Sequence, residues 1–320
     1  MAPTVGLVLG GGGLVGQAFH AGVLAALEHD TGWDPRTTEV IVGTSAGAVT
    51  GALLRADIGA GDLAGCFLDA PWSPAAALGI ALPSLMPMRW QAALRPQLPR
   101  LDLVTRCARL PWFRSPMSSL LALVPDGEID LVPHLGFLRE LTGDEWPAAP
   151  LLVTATRQRD GRLVVFGDAE APDMPLVAAV AASCAVPSYF RPVVHDGTAY
   201  LDGGLHSATN ADILRDRRFD VIVVVSPLST AAPLSWSLDG VARRFSSRRL
   251  RSEVGMLEAA GHDVVLVEPD VEAVAAMGHD LMSSRACAAT VREAFLGLGR
   301  DAMRVVSKLH DVLGPRSKAA

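Results

Sequence analysis

Charge and aromatic rings are both scarce in this chain: of 320 residues, Asp, Glu, Lys and Arg make up 19% and Phe, Trp and Tyr 5%. With half of the residues hydrophobic, so little charge excludes a disordered chain and predicts a globular fold with much buried surface. Cysteine is rarer still. Cys66, Cys107, Cys184 and Cys287 stand far apart with no CxxC pair, which argues against a disulfide framework or a zinc site and reads as buried small hydrophobes in a reducing compartment. No carboxylate or His/Cys cluster stands at ligand spacing, so neither a metal nor a cofactor is expected. No apolar run approaches the ~18 residues of a membrane span, and "MAPTVGLVLGGGG" lacks the basic stretch that opens a signal peptide. A soluble, cytoplasmic protein is expected. Positive charge is in deficit too: 28 Lys and Arg face 34 Asp and Glu, a net charge of -6, which removes the electrostatic reason for a nucleic-acid partner. The local exception, "RRFSSRRLR" at 243–251, reads as a solvated helix face. Repeats and Gly/Ser linkers are also missing, and a single domain over residues 1–320 is expected.

What the chain has is an alternation of buried strands and helices. "VGLVLG" (5–10) and "EVIVG" (39–43) are continuous apolar runs, the pattern of strands covered on both faces. Each leads through glycines into a helical pattern, 17–30 and 45–56. "LLVTATRQRDGRLVVFG" (151–167) reads as two strands around Asp160 and Gly161, and "HDGTAYLDGG" (195–204) as a second hairpin. "DVIVVVSP" (220–227) and "DVVLVEP" (263–269) add buried strands, and 285–312 is an amphipathic helix with Val291, Phe295 and Leu298 on its apolar side. The fold class is α/β, a mainly parallel central sheet with helices on both faces. Ligands of such sheets sit at the carboxyl ends of the strands.

Residues 57–130 break this rhythm, because prolines from 71 to 125 interrupt otherwise apolar stretches. Two readings stand: an inserted apolar lid that exposes Trp72, Leu85, Met86, Met88 and Trp90, or residues that complete the core.

The chemistry concentrates in three stretches. "GGGGLVG" (10–16) links a strand to a helix, so its amides can converge on an anion at the positive helix end. Gly11-x-Gly13-x-x-Gly16 matches a dinucleotide fingerprint, but the acid that should follow the second strand is missing, for Gly43-Thr44-Ser45 stands there. The other ligand is an oxyanion of a transition state. "GTSAG" (43–47) is a G-x-S-x-G sequence at a strand-to-helix turn, the context of a nucleophile elbow, in which Gly43 and Gly47 remove Cβ atoms that would clash. An ordinary helix-capping serine would explain Ser45 but neither glycine. A serine nucleophile needs a base. His20, His195 and His206 lie in contexts that do not mark a base; Asp202 in "YLDGG" is a carboxylate at a strand end beside Gly203 and Gly204, although a turn aspartate would look the same.

Taken together, "GGGGLVG", "GTSAG", "AASCAVPSYFRPV" and the 202–204 "DGG" resemble, in order and spacing, the patatin-like phospholipases over residues 5 to about 212. The resemblance implies a three-layer patatin-like sandwich and a lipid acyl hydrolase with a Ser-Asp dyad and no histidine. Carried over by motif, Ser45 is the nucleophile, Asp202 the base, and Gly11, Gly12 and Gly13 supply oxyanion-hole amides; Gly16, Gly43, Gly47, Gly203 and Gly204 support the turns. Ser183 and the Pro187 turn read as structural. The expected partner is a lipid or acyl-ester substrate, with peripheral membrane contact through the Trp72–Trp90 region. One departure stands out: the family's Arg or Lys in G-G-G-x-[RK]-G is Val15 here. A loss of that charge weakens or reshapes the hole, so a non-enzymatic lipid-binding or partner-docking protein stays open beside the hydrolase, as does, at greater distance, a dinucleotide-binding oxidoreductase.

Overall fold

A computed structural model describes residues 3–68, 126–230 and 238–313. The expected lid residues Trp72 to Trp90, most of the 57–130 segment and Cys107 lie outside them. Of that segment, Ala60–Leu68 forms a helix packed into the core.

The sheet has eight strands: β1 (Val5–Leu9), β2 (Val40–Thr44), β3 (Leu151–Arg157), β4 (Leu163–Phe166), β5 (Val193–His195), β6 (Thr198–Asp202), β7 (Val221–Val225) and β8 (Asp263–Val267). β3, β2, β1, β7 and β8 lie side by side and parallel, while β4, β5 and β6 add antiparallel pairings beyond β3. The apolar runs are continuous because alternate side chains enter different cores. Leu7 and Leu9 of β1 and Val221, Val223 and Val225 of β7 join one cluster. Val8, Ile222 and Val224 join a second, on the opposite face.

The first face carries α1 (Gly13–Thr31), α2 (Ala46–Arg55), α3 (Ala60–Leu68), α4 (Gly136–Thr142) and α5 (Leu176–Ser183). Phe19, Leu24, Val49, Leu63, Phe67 and Val180 pack there. At roughly 1.5–3 kcal/mol per buried large side chain, this layer holds the sheet against its helices. α4 ends at Gly143 in the left-handed conformation (φ 66°), and α5 ends at Ser183, four residues before Pro187. The second face is covered by α6 (Leu238–Ala259), whose Leu250 and Leu257 are buried on Val8 and Val224. α7 (Val271–Met277) and α8 (Ser284–Leu313) return to the first face. On α8 Val291 and Leu298 are buried, but Phe295 is exposed at its edge against the His29 ring, 5.8 Å away. Among the described residues no helix is long and apolar enough to cross a membrane. Cys66, Cys184 and Cys287 are free thiols, and only Cys287 is fully buried.

Candidate active site

Pairing register brings two distant strand ends together. β2 runs along Leu151–Thr154 of β3, and β6 runs antiparallel along Ala155–Arg157. β4 overlaps both, at Val153–Thr156. Since a strand has only two edges, β2 and β6 must share the one that β4 does not occupy. They abut end to end, with Thr44 opposite Thr154 and Asp202 opposite Ala155. The residue that follows Thr44 is Ser45.

Ser45 sits at φ 52° and ψ -116°, a region that costs a non-glycine residue about 1–3 kcal/mol. The turn is held in that strained shape from both sides. Its amide donates to Ser183 Oγ at 2.8 Å, and its carbonyl accepts from Ala48 N at 2.9 Å. A Cβ on Gly47 would lie 1.9 Å from the Leu9 carbonyl oxygen of β1, so only glycine lets the start of α2 press on the neighbouring strand. The side chain of Ser45 forms no N-cap hydrogen bond. This removes the reading of Ser45 as an ordinary cap.

Asp202 is 5% exposed, and its Oδ1 accepts from Gly204 N at 2.6 Å. Burial raises its carboxyl from the usual 3.8 to about 6; the Gly204 amide and the Ser45 side chain pull the other way by hydrogen bonding to the anion. Burial thus brings the carboxyl toward the neutral range, with Ser45 among the groups that act on it.

The glycine loop is not uniform. Gly10 N donates to Val225 O at 2.9 Å, and Gly11 N donates to Ala208 O at 2.7 Å. The expectation that Gly11 supplies a hole donor is therefore corrected: its amide is already engaged and fixes the loop beside Ser45. For the Gly12 and Gly13 amides no acceptor is found among the described residues. Both glycines have positive φ (158° and 62°), and Gly13 opens α1.

Val15 is fully buried in the first-face core, and its amide donates to Leu281 O at 3.0 Å. At this position the side chain packs inside the protein. A Cβ on Gly13 would lie 2.7 Å from that same Leu281 oxygen and 2.8 Å from Met282 Sδ. The start of α1 is thus closed on one side by the segment before α8, where a dinucleotide pyrophosphate would need room.

Several contributors were not legible in the sequence. Thr44 Oγ1 and Thr154 Oγ1 are 2.8 Å apart, and the fully buried Asn210 donates through Nδ2 to Thr44 Oγ1 (3.0 Å) and Ser207 O (2.7 Å). This network ties the end of β2, β3 and the turn after Asp202 into one piece. Beside it opens a cavity of about 400 Å³, reached by Ser45 and walled by Leu14, Leu131, Val186, Phe190 and Met282. Cys184 also lines it. Burial and the neighbouring Asp202 charge push the Cys184 thiol upward, so it stays protonated.

Among the described residues, no histidine is hydrogen-bonded to Ser45 or Asp202. His20 is buried against Thr50 Oγ1 at 3.3 Å and depressed by burial to about 3. His195 Nε2 meets Asp173 O at 2.6 Å, and His206 Nδ1 meets Asn210 Oδ1 at 2.8 Å. His279 lies at the cavity rim, with no hydrogen bond to Ser45 among the described residues. Nor, among those residues, do three His, Cys, Asp or Glu side chains converge as a metal site would require.

The family model described as patatin-like phospholipase matches residues 7–215, well over half of the chain and the span that contains both strand ends and the glycine loop. The chain belongs to the patatin-like phospholipase family. Its α/β fold is the family's. Two solved structures are similar to it. VipD from Legionella pneumophila is 15% identical, with a TM-score of 0.39, over 93% of this chain and 67% of VipD. The type III effector protein ExoU is 20% identical, with a TM-score of 0.36, over 93% of this chain and 53% of ExoU, so this chain spans about half that protein's length. A comparison with curated proteins gave no match.

Proposed function

We propose that this patatin-like protein is a serine hydrolase of lipid carboxylic esters, a phospholipid or another acylglycerol, working through a Ser45-Asp202 dyad. The buried Asp202 carboxylate facing Ser45 carries this reading. Asp202 takes the hydroxyl proton as Ser45 Oγ attacks the ester carbonyl. The negative oxygen that forms is stabilised by the Gly12 and Gly13 amides at the positive end of α1. The alcohol leaves with the proton held by Asp202, giving an acyl-serine. Water, deprotonated by the same carboxylate, then releases the acid and restores the serine.

An aspartate of ordinary acidity is a weak base toward a hydroxyl; one raised to about 6 is better matched to the task at neutral pH. Because the base must be ionised, turnover rises with pH, is half-maximal near 6 and is flat above that. The apolar cavity beside Ser45 is suited to an acyl chain.

The test is fluorophosphonate labelling with peptide mapping, together with ester turnover by Ser45→Ala, Asp202→Asn and His279→Ala. Label on the Ser45 peptide, turnover abolished in the first two variants and within a few-fold of the parent in the third, supports the dyad. Retained turnover in Asp202→Asn rules it out. Saturable lipid binding with neither label nor acyl release would favour the non-enzymatic reading.

A further inference from the structure

The basic run at 243–251 does not behave as a uniformly solvated face. On α6, Arg243, Ser247, Leu250, Glu253 and Leu257 are buried and form the inward stripe. Arg243 donates from Nη1 to Pro227 O at 2.8 Å, and Arg249 is engaged by Glu253 at 2.9 Å and Asp212 at 3.5 Å. Phe245 faces out, 68% exposed, more than any other large hydrophobic side chain among the described residues. Arg248 and Arg251, one and two helical steps of three residues away, are exposed beside it, and neither joins an ion pair among the described residues.

A helix that needed only solvation would put a polar residue at 245. An aromatic ring at the head of a row of two uncompensated guanidinium groups is instead the composition of a surface that inserts a ring among lipid headgroups while cations meet anionic phosphates. The patch is a local reversal of sign on a chain of net charge -6. Its place in the fold fits as well. The inward side of this stretch is bonded to Pro227 and Thr230, in the loop after β7, at the carboxyl ends of the strands where Ser45 also lies.

We propose that the Phe245-Arg248-Arg251 face of α6 docks the protein onto anionic phospholipid bilayers. The docking is independent of any chemistry at Ser45.

The experiment is vesicle flotation of the full chain carrying Ser45→Ala, which keeps the lipids intact, with phosphatidylcholine vesicles and with vesicles that also contain phosphatidylglycerol. Binding is expected only to the anionic vesicles and falls as salt rises. Arg248→Glu with Arg251→Glu lowers the partition coefficient at least about 25-fold, from about fivefold per lost cation, and Phe245→Ser lowers it several-fold. All three positions are exposed, so thermal unfolding of the variants should match the parent, which separates lost docking from lost fold. A Phe245→Trp variant should gain emission that brominated lipid quenches. The proposal is overturned by equal binding to both vesicles, by anionic binding that survives the double charge reversal, or by a Phe245-dependent dimer in sedimentation without lipid, which would make a second copy the occupant.

Discussion

At the turn after β2, a Cβ on Gly47 would lie 1.9 Å from Leu9 O, and one on Gly43 would lie 2.6 Å from Ala48 Cα. At the turn after β1, a Cβ on Gly11 or Gly16 would find its nearest neighbour at 3.5 Å. Both turns are glycine-rich, both join a parallel strand to a helix, and they stand side by side. In the second turn glycine is required because the backbone of one element presses on another. In the first, Gly12 and Gly13 are crowded as well, with Cβ positions 2.9 Å from Gly16 Cα and 2.7 Å from Leu281 O, but they also leave amides available, and Gly11 ties the loop to Ala208. A glycine motif read as a single unit therefore hides two different demands, one of space, made in both turns, and one of donors, made in the first alone.

That contrast can be broken by substitution. The largest effect is expected at the elbow. Gly47→Ala should cost about 3 kcal/mol or more, or prevent folding, because the added methyl meets a strand carbonyl that cannot move aside; urea unfolding would measure it, and a loss under about 1 kcal/mol would refute the rigid elbow. Gly13→Ala should act mainly on rate, lowering kcat/KM about 100-fold as a hole donor is displaced, with a smaller change in stability because Leu281 and Met282 lie on a half-buried segment.

Asp202→Asn should stabilise the fold while it abolishes turnover. The folded carboxyl titrates near 6 and the unfolded one near 3.8, so between those values the unfolded chain has fewer protons bound and stability falls as pH rises. Above pH ~7 the whole penalty is present, of the order of 3 kcal/mol at most. Thermal unfolding of the variant should exceed the parent there and match it below pH ~4. The smallest effect belongs to Gly16→Ala. With ordinary contacts around its Cβ, it should be neutral or stabilise by up to about 1 kcal/mol through helix propensity.

These differences also mark what could be read before the structure. The strands, the helices and the elbow were legible because their causes are local: runs of Val and Leu, and glycines within two residues of Ser45. Asp202 was marked as a carboxylate at a strand end, but an aspartate before two glycines is also a common turn, and only the family resemblance favoured it as the base. Gly11 was misjudged because its acceptor, Ala208, is nearly two hundred residues away. Asn210 looked like any residue of a loop, and its bonds to Thr44 and Ser207 follow from register that no local pattern encodes. Val15 was read as a lost charge, yet the helix turns it inward. On α6 the basic run was legible as a helix, but the direction of Arg243 into the protein and of Phe245 out of it was not.

β3 finally serves as a ruler. Two chain ends of opposite direction are measured against one of its edges, and the gap between Ser45 and Asp202 is whatever their two stopping points leave. A slip of a single residue by either strand would change that gap by about 3.3 Å, the rise of one strand residue, which is more than a hydrogen bond can absorb. The spacing of the proposed dyad is in this sense a property of sheet registration.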